Sequence, residues 1–289
     1  YPWMASYDGS EQCESWDIGA SEVHVTADVV YALDLYARVT GDAAFARQAE
    51  EVYIETACFW RSRYTPAPDG TSFDLLFCKG PDEYCGITSN NLFTNVMVRH
   101  NLHLALAAAR RMQRKDPDRF AALCLSEEEL AGWQALEQGI QIPRDPVTGH
   151  LRADDSFQLL EPVDPATLKQ GDAASYHQVC FDRLQRYQVI KQADTLLAMT
   201  RRPDACTPQE KQAAGQAGVV GFAGLQFTAG GPALAPTCLT AGRACISVST
   251  GTAPRTAPMC AAIPPEGYRQ ASSSARNEQR QIFRKRADV

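Results

Sequence analysis

Apolar residues recur at three- and four-residue steps through most of the first 200 positions, and that spacing predicts helices rather than strands. Val25, Val29, Leu33 and Tyr36 share one face of a helix over Val23–Val39, and Gly41 marks its stop. Asp42 is placed to cap a second helix from Ala43 to about Arg63, with Phe45, Ala49, Val52, Ala57 and Trp60 on one side. Pro66, Pro68 and Gly70 end it. Ser72 to Cys78 (SFDLLFC) is short, apolar and aromatic, which predicts a strand or extended segment. A third helix is predicted from about Asn91 to Arg114, its basic end suited to the helix dipole. Ser126 and Glu129 have capping-box spacing and open a fourth, through Glu137. Residues 141–174 are broken by Pro and turn residues and predict a long irregular connection. A fifth helix is predicted over Tyr176–Thr200, with Val179, Leu184, Val189, Ala193 and Leu197 as its stripe. Helix pairs joined by long loops suggest an all-α solenoid or (α/α) toroid, with chemistry in the loops. No repeat of fixed period is present, which weakens the solenoid.

The pattern changes near residue 212. Thr207-Pro208-Gln209-Glu210 is a strong helix start, yet Gly215, Gly218, Gly221 and Gly224 follow at three-residue intervals. Each interior Gly costs a helix about 1 kcal/mol. A good start followed at once by breakers is a local contradiction. Beyond it the chain is Gly, Ala, Pro, Ser and Thr without sustained period, and reads as poorly ordered.

Charge divides the chain at the same place. The 289 residues carry a net charge of −6. From Ala213 onward eight Lys and Arg stand against three Asp and Glu, whereas the first 212 residues hold 20 against 31. The acidic part argues against nucleic-acid or anionic-membrane partners, and no apolar run approaches the roughly 18 residues of a membrane span. Ten cysteines occur without a Cys-x-x-Cys pair, so free buried thiols are expected and neither a zinc site nor a redox dithiol is indicated. The expected location is the cytoplasm.

The densest polar cluster is Lys79-Gly80-Pro81-Asp82-Glu83-Tyr84, followed by Asn90-Asn91 and Thr94-Asn95. Gly-Pro forces a turn that holds Asp82 and Glu83 on a corner. A carboxyl group there, against a wall such as Tyr84 or Phe77, would have a raised pKa and could donate a proton. The ordinary explanation is a helix start, with Asp82 and Asn90 as local caps. His24 reads as a satisfied helix-start residue. His100 and His103 stand at i, i+3 spacing without a third metal ligand in view. Gly218–Gly224 has no Lys in P-loop position, so no phosphate cradle is read there.

The run KGPDEYCGITSNNLFTN resembles the catalytic signature of glycoside hydrolase family 65, the inverting disaccharide phosphorylases and related glucosidases. Three more stretches agree in the same order: YPW…DGSEQCESWD…SEVHVTADVVYALDLYARVTGD, EVYIETACFWRSR and CFDRLQRYQVIKQAD. Together they cover about residues 1–212. The resemblance implies an incomplete (α/α)6 toroid over 1–212, with 213–289 an unrelated tail, and a truncated chain of little activity by itself. It assigns Glu83 as the acid that protonates the glycosidic oxygen, and Lys191 and Gln192 as the sugar-binding pair. A Lys beside an amide can hold several hydroxyls; the competing explanation is an exposed Lys191–Asp194 helix pair. Trp3 falls where the family presents a wall to the sugar, whereas Met4 stands where some members carry Glu.

The resemblance further implies inorganic phosphate as co-substrate, no other cofactor, a disaccharide substrate and a homodimeric parent. Inversion by hydrolysis needs a second carboxylate to activate water. Phosphate is already a nucleophile, so one acid suffices for phosphorolysis. A trehalase-like or kojibiosidase-like hydrolase of the same fold, and a non-catalytic sugar-binding remnant, are the alternatives. The family's His and paired hydroxyl residues for phosphate are not found after Ala213, and neither is its N-terminal β-sandwich before Tyr1. A shifted reading frame or a mispredicted gene end is the expected origin of the tail.

Overall fold

The computed structural model describes residues 1–168, 181–216, 225–228 and 231–234. Its helices are α1 (Trp16–Ser21), α2 (Val25–Thr40), α3 (Ala43–Arg63), α4 (Leu92–Lys115), α5 (Pro117–Ala122), α6 (Glu127–Gly139), α7 (Phe181–Leu184), α8 (Asp194–Arg201) and α9 (Pro208–Gln216). Strand pairing among the described residues is confined to two short antiparallel pairs and isolated bridges. β1 (Thr65–Pro66) pairs with β2 (Phe73–Asp74), and β3 (Leu225–Thr228) with β4 (Gly231–Leu234). The expected all-α class is the observed one.

The local signals for the first four major helices hold. Gly41 ends α2 at φ +68°, a left-handed value that favours glycine. Asp42 accepts the Phe45 N–H at 2.9 Å and starts α3. Ser126 and Glu129 form both bonds of the capping box, each at 3.1 Å. Ser126→Ala should therefore lower stability by about 1 kcal/mol, read as the midpoint shift in urea unfolding.

Helix α4 is the hub, packed by α2, α3, α6 and α8. Its first two turns, Leu92 to Val98, are buried on every side, because neighbours cover the whole circumference. Trp60 of α3 and Trp133 of α6 share one buried core with Leu102, Ala105 and Ala109 of α4. Two buried side-chain pairs link α3 and its C-cap to α4. Trp60 Nε1 donates to Asn101 Oδ1 at 2.9 Å, and the Tyr64 hydroxyl donates to Asn95 Oδ1 at 2.7 Å.

The fifth helix is the main correction. Only Phe181–Leu184 and Asp194–Arg201 are helical, and residues 186–193 run as turns and bends; its predicted start at 176–180 lies outside the described residues. Tertiary bonds take the backbone that a helix would use. Glu161 bridges Tyr187, Gln188 N–H donates to Glu161 O at 2.9 Å, and Asp82 claims the N–H groups of Lys191 and Gln192. The periodic stripe was real, but its backbone partners lie elsewhere in the chain.

Of the predicted extended segment Ser72–Cys78, Phe73 and Asp74 form a ladder and Cys78 bridges Thr88, but Phe77 bends the chain between them. The connection 141–174 is irregular as far as residue 168, apart from single 3₁₀ turns at Phe157–Leu159 and Pro165–Leu168. The Thr207 signal builds α9: Thr207 N–H donates to Glu210 Oε2 at 2.8 Å, and Glu210 N–H to Thr207 Oγ1 at 3.2 Å. Of the expected structureless tail, residues 213–216 complete α9 and β3 pairs antiparallel with β4; the rest lies outside the described residues.

Candidate active site

The KGPDEY corner sits on a loop closed at its base by a two-bond bridge between Cys78 and Thr88, at 2.9 and 2.8 Å. Lys79 anchors it from below. Its side chain is fully buried, and its ammonium donates to Asp17 Oδ2 at 3.0 Å. A buried cation without such a carboxylate would be costly. Asn91 caps α4 by accepting from Thr94 N–H at 3.0 Å, and its amide donates to Asp194 Oδ2 at 2.8 Å. Asn90, read from sequence as a local cap, instead accepts the Leu75 N–H and donates to Asp74 and Asp155.

Three of the four residues singled out from sequence meet here. Lys191 Nζ donates to Glu83 Oε2 at 2.7 Å, and Gln192 Nε2 donates to Glu83 Oε1 at 2.8 Å. Gln192 Oε1 accepts the Glu83 N–H at 3.1 Å. The Lys191–Asp194 helix pair is thereby excluded: Lys191 faces Glu83, and Asp194 is buried against Asn91. Trp3 stands on the N-terminal segment, about a third exposed. Glu11 holds that segment, accepting the N–H groups of Trp3, Met4 and Cys13.

Electrostatics at the corner differ from the expectation. Burial pushes the Glu83 carboxyl up, but the hydrogen bonds from Lys191 and Gln192 and the charges of Lys191 and Lys79 outweigh it, leaving Glu83 below the ordinary range. Tyr84 packs toward Leu168, Leu184 and Val189, and Phe77 is 75% exposed in a left-handed conformation at φ +53°.

The raised carboxyls are Asp82, Asp155 and Asp194, of which Asp82 and Asp194 are buried. Burial pushes Asp194 up to about 7, helped by the Asp82 charge and opposed by the Asn91 bond and the His24 charge. Its Oδ1 is buried without a hydrogen-bond partner, which fits a group that prefers to be neutral. Sequence reasoning passed over Asp194 because its depth depends on packing against the 80–82 corner.

A raised carboxyl pKa means that the folded chain binds the proton more tightly. Asp194 should therefore make stability fall as pH rises from about 4 to about 7. His24 adds a second window. Burial lowers its pKa, but bonds to Asp28 and Glu22 outweigh that and carry it to about 9. Its contribution is complete below about 6.5 and is lost as pH rises through 9. Asp194→Asn should remove the first decline and keep the second, a contrast that thermal unfolding across pH 4–9 will show.

Beside Asp82 and Gln192 lies a cavity of about 220 Å³, walled also by Asp154, Phe157, Gln158 and Ile190. Among the described residues no cluster of His, Cys, Asp or Glu has the makings of a metal site. His100 pairs with Asp34 and His103 with Glu137. No described helix is long and apolar enough to cross a membrane.

Residues 1–216 match the model of the glycosyl hydrolase family 65 central catalytic domain. The chain belongs to this family. It is 30% identical over 217 residues to an α,α-trehalose phosphorylase of Thermoanaerobacter brockii, covering 73% of this chain and 28% of that protein. It is 34% identical over 206 residues to the α,α-trehalose phosphorylase of Geobacillus stearothermophilus, covering 68% and 26%. A kojibiose phosphorylase of Halothermothrix orenii is 29% identical over 217 residues, covering 69% and 28%. The chain thus spans little more than a quarter of the length of these family 65 relatives. A solved structure named "Putative kojibiose phosphorylase from human microbiome" superposes with a TM-score of 0.63 at 24% identity, covering 72% of this chain and 29% of that one. That likeness establishes the helical fold of the family 65 domain.

Proposed function

We propose that this domain serves inverting phosphorolysis of an α-linked glucose disaccharide, with Glu83 as the general acid. The observation that carries the reading is the grip on Glu83: both carboxylate oxygens are held by a Lys and an amide more than a hundred residues away in sequence. In the reaction the Glu83 proton passes to the glycosidic oxygen as the C1–O bond breaks, and the released sugar leaves as an alcohol. A phosphate oxygen forms the new bond to C1 from the opposite face, giving β-glucose 1-phosphate. Lys191 and Gln192 bind the sugar hydroxyls, and Trp3 supplies an apolar wall. When hydroxyls claim Lys191 and Gln192, the bonds that lower the Glu83 pKa weaken while burial continues to raise it. The carboxyl is then able to hold a proton when substrate is bound.

Hydrolysis by the same fold would need a second carboxylate free to activate water. Asp82, the nearest in sequence, is engaged by three backbone N–H groups, which favours phosphorolysis. The relatives' names make trehalose and kojibiose the first substrates to assay. In the full-length gene product, turnover should require inorganic phosphate and release β-glucose 1-phosphate. Undiminished turnover in phosphate-free buffer would establish the hydrolase instead. Residues 213–289 are read as a tail foreign to this chemistry, supported by the family match ending at 216 and the change in charge. An intact coding frame, with no alternate frame that restores the family's phosphate-binding hydroxyls, would refute its origin in a frame shift.

A further inference from the structure

Lys191 and Gln192 hold Glu83, but their side chains do not determine where their own backbone lies. Residues 186–193 have no helical ladder to place them. The carboxyl group one residue before Glu83 supplies the anchor. Asp82 Oδ1 accepts the N–H of Lys191 at 2.9 Å and of Gln192 at 3.4 Å, together with the N–H of Tyr84 at 3.1 Å. Asp82 is only 4% exposed, so these bonds do not compete with bulk water. The attachment is reciprocal, since Gln192 Oε1 accepts the Glu83 N–H and Asp194 packs against Gly80. Strip 80–84 and strip 191–194 are thus tied to each other through both side chains and backbone.

We propose that Asp82 is a positioning residue for Glu83: its carboxylate fixes the backbone of Lys191 and Gln192 so that both side chains reach the Glu83 carboxylate. The proposal rests on the reading of Glu83 as proton donor. Without Asp82 the 186–193 strip loses its attachment to the corner and the Lys191 contact lapses. Burial then prevails at Glu83, and its carboxyl rises.

The test compares Asp82→Ala with Asp82→Asn in the full-length enzyme. The Asn amide oxygen can accept the same N–H bonds, whereas Ala cannot. Asp82→Ala is expected to lower kcat/KM about 100-fold and to move the alkaline limb of the pH profile upward by about half a unit. The Lys191 and Gln192 amides should exchange with deuterium at least about tenfold faster in it. Asp82→Asn should restore all three readouts. A merely structural role would lower activity without moving the pH limb. The proposal is overturned if Asp82→Ala behaves like the parent, or if Asp82→Asn loses as much as Asp82→Ala. Should the Ala variant fail to fold, the Asn variant decides alone: protected amides with turnover within about tenfold support the proposal, and any larger loss overturns it. Amide exchange does not require Glu83 to act. A fully active Glu83→Gln enzyme would therefore sink the acid assignment while the exchange result still reports on Asp82.

Discussion

Glu83→Gln should reduce kcat/KM for the disaccharide by about 10³-fold in the full-length enzyme, within the range for removal of a positioned general acid. The substitution keeps the volume of the side chain and leaves an amide oxygen for Lys191, now 2.7 Å from the carboxylate. What it removes is the transferable proton. The loss should therefore depend on the leaving group. A sugar alkoxide needs protonation as it departs, whereas fluoride does not. With α-glucosyl fluoride and phosphate, the variant should retain turnover within about tenfold of the parent. Equal losses on both substrates would indicate a disrupted pocket rather than a missing acid. A loss below tenfold on the disaccharide would remove Glu83 from the mechanism. Thermal stability should change little, since the Lys191–Glu83 pair is partly exposed to solvent.

Gly80→Ala should damage both stability and activity. A Cβ on Gly80 would lie 2.0 Å from Asp194 Oδ2 and 2.2 Å from Asn91 Nδ2. Both are short, buried side chains bonded to each other, so neither can swing clear as the end of a long chain would. Relieving the overlap breaks the Asn91–Asp194 bond and displaces the Asn91 cap of α4. Overpacking of 1–3 kcal/mol and a lost buried hydrogen bond combine to about 3–4 kcal/mol. At about 2–4 °C per kcal/mol for a domain of this size, Tm should fall by roughly 10 °C. Gly86→Ala is the control, because its nearest neighbour is Gln185 at 3.5 Å, an ordinary contact. Calorimetry of the two variants side by side tests the argument; a Gly80→Ala chain as stable as the control would refute it.

The parts of the fold legible in sequence were those governed by neighbours a few residues apart. The stop at Gly41, the cap at Asp42, the Ser126–Glu129 box and the Thr207–Glu210 box all close within one helical turn. Their partners are written beside them. The 186–193 segment was misread for the opposite reason. Its stripe of Val189, Ala193 and Leu197 satisfies a helix, but its N–H groups at 191 and 192 are taken by Asp82, about 110 residues away. Helical period reports which side chains seek burial. It does not report which backbone groups have found better partners.

The candidate site divides along the same line. Glu83, Lys191 and Gln192 were picked out by motif resemblance, and the fold gathers these three into one hydrogen-bonded cluster while leaving Trp3 outside it. Sequence by itself determined the helical class, the starts and stops of the first four predicted helices, the charge boundary near residue 212 and the family signature. Only tertiary structure decided the ionisation pattern: Glu83 is drawn down by Lys191, and Asp194 is pushed up by burial beside Asp82. The reason is physical. Secondary-structure signals act through local sterics and caps within a turn, whereas a pKa is set by every charge and every layer of protein around the group.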